Sequence, residues 1–491
     1  MLFSSLLFLY LFLPLTLLGY YLSPHGIKNY WLLLTSLIFF AWGGVSLTAL
    51  LLTSITLNYF FGILIQKNIE SQKSYWWTFT GVTVNVLLLG VYKYGNFIIH
   101  SLNDLFEILS IPLLPQSRII LPIGISFYTF HSLSYLVDIY RRKTLAQKNI
   151  FDLALYISMF SQLIAGPIIR YSDVWAQLKG RKHTVAKFSS GVERFLIGLG
   201  KKVLLANTFA KVADSTFNGN IQNLDAMNAW FGIACYTFQL YCDFSGYSDM
   251  AIGLGRMFGF EFKENFNFPF ISKSVTEFWR RWHISLSSWF NDYVFTPLVI
   301  GKRDWNKGAV VYALLVTFFL CGLWHGAGWN FALYGLMHGI VLVLEFLTKK
   351  TRKKISGFLP EFIVNGLAIF LTLSFVSFSW IFFRANTIED ALNYCSALFR
   401  PQSNSEQLSM FVHSFDRELL LTFSIAALGS FGFFNWIYTK SETLLNSDKR
   451  SAVLFSYGYH LASFCVYGGI IFLCTLYLVA GTYNPFIYFR F

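Results

Sequence analysis

Two histidines stand where an ionisable side chain is costly. His325 and His338 lie in the otherwise apolar stretch 321–340. A group of this kind inside apolar surroundings must be paired, hydrated or functional. A buried neutral imidazole, with an unperturbed pKa of about 6.5, suits the work of a general base. Gly322 and Gly326 form one GxxxG and Gly335 and Gly339 another, so two surfaces permit close backbone approach. The small residues around His325 leave room for a substrate and set it apart from His338, for which bonding to a neighbouring helix is the favoured reading. On an unbroken helix His325 and Trp329 share a face, whereas His325 and His338 lie about 220° apart and make no simple ligand pair.

Three further clusters place polar groups beside apolar ones. In 276–290, Trp279 and His283 are four apart, as are Glu277 and Arg281, an ion pair of favourable orientation. An interfacial helix with snorkelling arginines accounts for this segment; the alternative is that Arg280, Arg281 and His283 line a polar cavity. Within 239–249, Asp243 and Asp249 need cationic partners, and Arg280 or Arg281 is expected to supply them in a structural ion pair. The fourth cluster gathers Pro122, Gly124, Ser126, His131, Asp138, Arg141, Gln162, Pro167 and Arg170, with Pro and Gly marking broken helices. Lys201 and Lys202 follow Gly198 and Gly200, but the glycine pattern of a phosphate-binding loop is absent.

No companion nucleophile is forced by spacing, which favours direct transfer. His325 would take the proton of an acceptor hydroxyl as it attacks an activated acyl donor such as a thioester. His283 would polarise the acyl carbonyl, orient His325 or pack, and Arg280 and Arg281 would hold anionic parts of the donor.

The elements that must position these groups are membrane helices. Of 491 residues, 55% are apolar, 19% aromatic and only 13% charged, against roughly 25% charged in globular proteins. Apolar runs at 2–22, 29–44, 46–66, 76–98, 119–138, 150–169, 189–209, 227–254, 308–328, 330–347, 361–383, 418–437 and 457–481 are long enough to span, or nearly so. Residues 101–118 and 262–300, the latter with Pro269 and Pro297, are too broken or charged and read as re-entrant or interfacial. The expected fold is therefore an all-α multi-span membrane protein of about 11–13 helices. Residues 2–22 have no preceding Lys or Arg and read as a retained first span.

The excess of 38 Lys and Arg over 25 Asp and Glu is assigned to cytoplasmic loops rather than to nucleic-acid binding. Placing the basic loops 67–73, 141–148, 302–307, 349–354 and 440–450 inside puts the N-terminus and the loop 384–417, with Glu389, Asp390 and Glu406, outside. The basic loop 170–188 then falls on the wrong side unless some middle helices are partial or broken. The six cysteines show no metal or redox spacing and read as small core residues.

At these clusters the chain resembles the membrane-bound O-acyltransferase family, within it the bacterial branch that includes alginate O-acetyltransferase. Trp324 to Asn330 followed by Tyr334 to Gly339 looks like the family's signature, and its histidine falls on His325. The upstream marker matches His283 in 278–287, with further matches at 121–127, 162–170, 241–249 and 380–385. The chain departs at 294–303, where alginate-type proteins usually carry Gly-Gly-Asn-Arg, and His131 stands where Gln is usual.

The resemblance implies one integral-membrane domain over 1–491, with a motif-bearing core at about 119–398 and flanking helices at 1–100 and 410–491. It implies helices around a central tunnel, His325 at the narrow point, and a site including His283, Arg280, Arg281, Trp324, Trp329, Asn330, Asp243 and Asp249. No metal or bound cofactor is expected; acyl-CoA, acetyl-CoA first, or an acyl-carrier thioester is the donor substrate. The expected partners are membrane lipid, an extracytoplasmic polysaccharide or a periplasmic or extracellular acetyltransferase, and a cytoplasmic acyl-carrier protein. The expected location is the bacterial inner membrane. The rivals are D-alanyl transfer from a carrier protein to teichoic acid, and a transporter using Asp243, Asp249, Arg280 and His325 as a relay. Transport also calls for internal repeats, and none is detected.

Overall fold

The computed structural model describes residues 1–115, 119–164, 166–401, 416–445, 450–481 and 483–485. Glu406, Ala165 and the end of the 101–118 run lie outside the described residues. Every regular element among the described residues is helical. Among the described residues six helices are long and apolar enough to cross a membrane: Val45–Lys67, Gln72–Ile108, Lys307–His325, Trp329–Leu347, Glu361–Arg384 and Ser456–Val479. The pair Arg417–Ser430 and Phe433–Leu445, bent by 60°, makes a seventh if it is one span. The chain is an all-α multi-span membrane protein.

The remaining apolar runs become shorter, broken or more polar elements, and many of them are buried. In the helix Ile125–Tyr140 ten consecutive residues, Phe127 to Leu136, are buried, polar Thr129, His131, Ser132 and Ser134 among them. The run 150–169 breaks at Met159 between Ile150–Ser158 and Phe160–Leu163. The run 189–209 contains a π-helical turn at Lys201–Ala206.

Residues Met1–Val192 with Ala251–Lys263 form one compact unit, and Glu193–Met250 with Glu264–Phe491 another. In the first, Phe8 of the N-terminal helix packs its ring 6.0 Å from Phe39 and 6.2 Å from Phe160. Gly124 adopts φ +76° at the start of the helix Ile125–Tyr140, and a Cβ there would meet the Leu163 carbonyl oxygen at 2.6 Å, so both the turn and the packing exclude a larger residue. His131 is fully buried, its ring 5.4 Å from that of Tyr156, and Asp138 accepts from Ser172 Oγ at 3.2 Å.

The second unit holds the histidine cluster. Its helix Val275–Arg281 begins at Ser274, whose side chain accepts from the Glu277 N–H at 3.0 Å. Glu345 accepts the next two free N–H groups, of Val275 at 2.8 Å and Thr276 at 2.9 Å. A carboxylate at a helix N-terminus satisfies orphan donors and complements the dipole. The helix Val275–Arg281 is thereby tied to the helix Trp329–Leu347 that carries Glu345.

Candidate active site

The hairpin of Lys307–His325 and Trp329–Leu347 is closed by two facing glycines. A Cβ on Gly322 would overlap the Phe331 carbonyl oxygen, and one on Gly335 the Phe318 carbonyl oxygen. The two small-residue surfaces expected from sequence thus meet each other. His325 is the last residue of its helix, because the chain turns extended at Gly326 and restarts as helix at Trp329. This break corrects the expectation that His325 and Trp329 share a helical face: Trp329 is exposed while His325 is buried. The His325 ring lies 4.9 Å from Trp324, 5.1 Å from Phe383 and 5.9 Å from Tyr334.

His283 occupies a second break, between Val275–Arg281 and Ile284–Phe290. Its φ of 45° and ψ of 52° are left-handed, a conformation that costs a non-glycine residue about 1–2 kcal/mol. Asn265 holds it there. The Asn265 carbonyl accepts the Ile284 N–H at 2.9 Å, and its Oδ1 accepts the Ser285 N–H at 3.1 Å and the Ser285 hydroxyl at 2.8 Å. His283 Nδ1 lies 3.2 Å from the same Oδ1. The ring of Phe244 stands edge-on at 4.5 Å, and Trp324 lies 5.9 Å away, so one indole has His283 and His325 as neighbours. Burial first, and the His325 ring second, hold His283 well below the usual histidine pKa of 6.5.

His338 is otherwise. Trp279 Nε1 donates to its Nδ1 at 3.1 Å, and its Nε2 lies 2.9 Å from Ser379 Oγ. The indole only donates, so Nδ1 is the acceptor and Nε2 donates to Ser379. Both ring nitrogens are satisfied by packed neighbours, and Trp279 serves His338 rather than sharing a helical face with His283.

The other expected site residues disperse. Asp243 pairs with Lys202 at 2.8 Å, and Asp249 with Lys201 at 2.7 Å and Arg194 at 2.7 Å, which corrects the pairing expected with Arg280 or Arg281. The helices bearing these charges cross at Gly198 and Gly246, where a Cβ on Gly198 would overlap the Gly246 carbonyl oxygen. The Gly-Lys-Lys segment is therefore a helix crossing with charge partners. Arg281 pairs with Glu277 at 2.8 Å as expected, and Arg280 is exposed. Asn330 donates to the carbonyls of Phe382 at 3.2 Å and Ala385 at 2.8 Å, capping the end of Glu361–Arg384. Arg384 is buried against Asp214.

The model of the membrane-bound O-acyltransferase family matches residues 36–386. The chain belongs to this family. It is accordingly an O-acyltransferase, and His325, His283 and Trp324 all fall within the matched residues. A protein of Pseudomonas aeruginosa named "Probable alginate O-acetylase" is 42% identical, over 81% of this chain and 75% of that one. The peptidoglycan O-acetyltransferase of Helicobacter pylori is 36% identical, over 80% of this chain and 78% of that one. The teichoic acid D-alanyltransferase of Bacillus subtilis is 30% identical, over 55% of this chain and 70% of that one.

Sequence reasoning missed Asn265, Ser285, Arg194, Lys201 and Lys202 in this member of the membrane-bound O-acyltransferase family. The lysines carried a signal in the glycines beside them, read by the periodicity of close helix crossing. Asn265 carried none, since a lone Asn in an aromatic loop has no spacing to betray it.

Proposed function

We propose that this acyltransferase moves an acyl group, acetyl first among them, from a cytoplasmic thioester toward a hydroxyl of an extracytoplasmic polysaccharide or cell-wall polymer, with His325 as general base. The observation that carries the reading is the arrangement of His325 and His283 beside the Trp324 ring, both buried and each at a helix break. As the acceptor oxygen bonds to the acyl carbon, its proton passes to His325 and the carbon–sulfur bond breaks. The thiolate leaves and takes the proton from the imidazolium, returning the base to its neutral form. A positioned base of this kind is worth about 10²–10⁴-fold in rate.

Acetyl as the group, and a polymer as the destination, rest on relatives named for alginate and peptidoglycan acetylation. Acetyl-CoA is the first donor to test; no bound cofactor or metal takes part. Exposed Arg280 and half-exposed Arg281 would meet anionic parts of the donor, and membrane lipid surrounds the spans. The reading places the chain in the bacterial inner membrane, delivering acyl groups to the polymer or to a periplasmic or extracellular acetyltransferase. A D-alanyl donor on a carrier protein is the second reading, favoured by the teichoic acid relative.

The test is to supply purified protein in lipid with labelled acetyl-CoA, and separately with a labelled acyl-carrier thioester, plus a cell-envelope extract as acceptor. Label reaching polymer from acetyl-CoA supports the first reading. Label moving only from the carrier thioester replaces it with the second, and label from neither refutes both.

A further inference from the structure

We propose that Asn265 is a positioning residue that locks His283 as the Nδ1–H tautomer, so that Nε2 presents a bare lone pair to a donor arriving with the reaction. The Ser285 backbone N–H can only donate. It points at one terminal atom of the Asn265 side chain at 3.1 Å, and that atom must therefore be the oxygen Oδ1. The other terminal atom, Nδ2, is 3.0 Å from Ser248 Oγ and has a hydroxyl to accept its proton. Both ends of the amide are thus assigned by their surroundings. His283 Nδ1 lies 3.2 Å from Oδ1 and 3.5 Å from Ser285 Oγ, whose hydroxyl gives its proton to Oδ1 at the shorter distance of 2.8 Å, so Nδ1 faces two acceptors and carries the proton.

A neutral imidazole has one N–H, so Nε2 is left without a proton. Burial first and the His325 ring second keep the ring in this neutral form. His283 is wholly buried, and its Nε2 has no hydrogen-bond partner among the described residues. A buried acceptor left without a partner is costly. Here the left-handed backbone of His283 and four contacts to Asn265 hold the ring where that cost is incurred.

The consequence concerns the role of His283. A bare Nε2 cannot donate a hydrogen bond to an acyl carbonyl, so His283 does not polarise the thioester. It accepts, from a hydroxyl of the acceptor substrate or from the His325 ring N–H. This consequence rests on the acyl-transfer reading, whereas the tautomer itself does not.

The test reads the tautomer directly. Full-length protein labelled with 15N and 13C in its nine histidines is reconstituted in lipid, and the His283 ring nitrogens are assigned by their loss in His283→Gln. The expected spectrum shows a protonated Nδ1 and an unprotonated Nε2. In Asn265→Ala the Nε2–H tautomer gains population and kcat falls about tenfold or more with KM little changed; Asn265→Asp, which keeps an acceptor oxygen, returns the Nδ1–H signature. An Nε2–H signature in wild type, or an Asn265→Ala protein that retains both tautomer and kcat, overturns the proposal. If the variants unfold, the wild-type spectrum alone decides. The expected tautomer in a protein that transfers no acyl group would uphold the lock and refute the function.

Discussion

His338 and His283 are both fully buried, on neighbouring segments of one unit, and they differ in how their nitrogens are used. His338 donates to Ser379 and accepts from Trp279. His283 gives one nitrogen to Asn265 and keeps the other without a partner among the described residues. Burial by itself therefore does not mark a reacting group. An incomplete hydrogen-bond inventory in a place the backbone is strained to maintain does, since native interiors otherwise satisfy their polar atoms.

The contrast predicts that satisfied groups cost stability when removed and that groups around Trp324 cost activity. The largest stability effect falls on the buried Lys202–Asp243 pair. Lys202→Met removes the cation paired with a buried carboxylate and should destabilise by about 3–5 kcal/mol, with Asp243→Asn in the same background recovering part of the loss in a thermal double-mutant cycle. His283→Ala should lower kcat by about a hundredfold with little change in melting temperature; an equal loss of stability would place His283 with His338. His338→Ala should reverse that pattern, costing about 1–3 kcal/mol by leaving the Trp279 N–H unsatisfied, while kcat in the surviving folded fraction stays within a few-fold.

The smallest effect belongs to the partly exposed Glu277–Arg281 pair, where Arg281→Ala should cost about 0.3–0.5 kcal/mol. Burial pushes the Glu277 carboxyl up, but the Lys273 N–H and Arg281 outweigh it and hold the carboxyl below 4.5. Its contribution is present above pH 4.5 and is lost as pH falls through the lower folded value. Denaturation midpoints measured from about pH 6 down to about pH 3 in wild type and Arg281→Ala should converge at the acid end.

The sequence made the class of fold, the glycine surfaces of the hairpin and the Glu277–Arg281 pair legible, because each rests on local spacing. It also singled out His325 by its small neighbours. The runs 308–328 and 330–347 already separated the two helices of the hairpin, but the end of the first at His325 was not legible, since Gly-Ala-Gly continues the apolar run without interrupting its pattern. Nor were the partners of Asp243 and Asp249, which come from a helix well upstream and meet only where Gly198 crosses Gly246. Asn265 acts through the direction of one amide, and composition carries no trace of that.

The proposed function turns on chemistry at His325 beside Trp324. The most direct measurement is acyl transfer from labelled acetyl-CoA to envelope polymer by purified wild type, His325→Ala and His338→Ala, each normalised to its folded fraction by thermal unfolding. Transfer is expected from wild type and His338→Ala, with a loss of at least about a hundredfold in a His325→Ala protein that remains folded. Transfer undiminished in folded His325→Ala would contradict this role for His325.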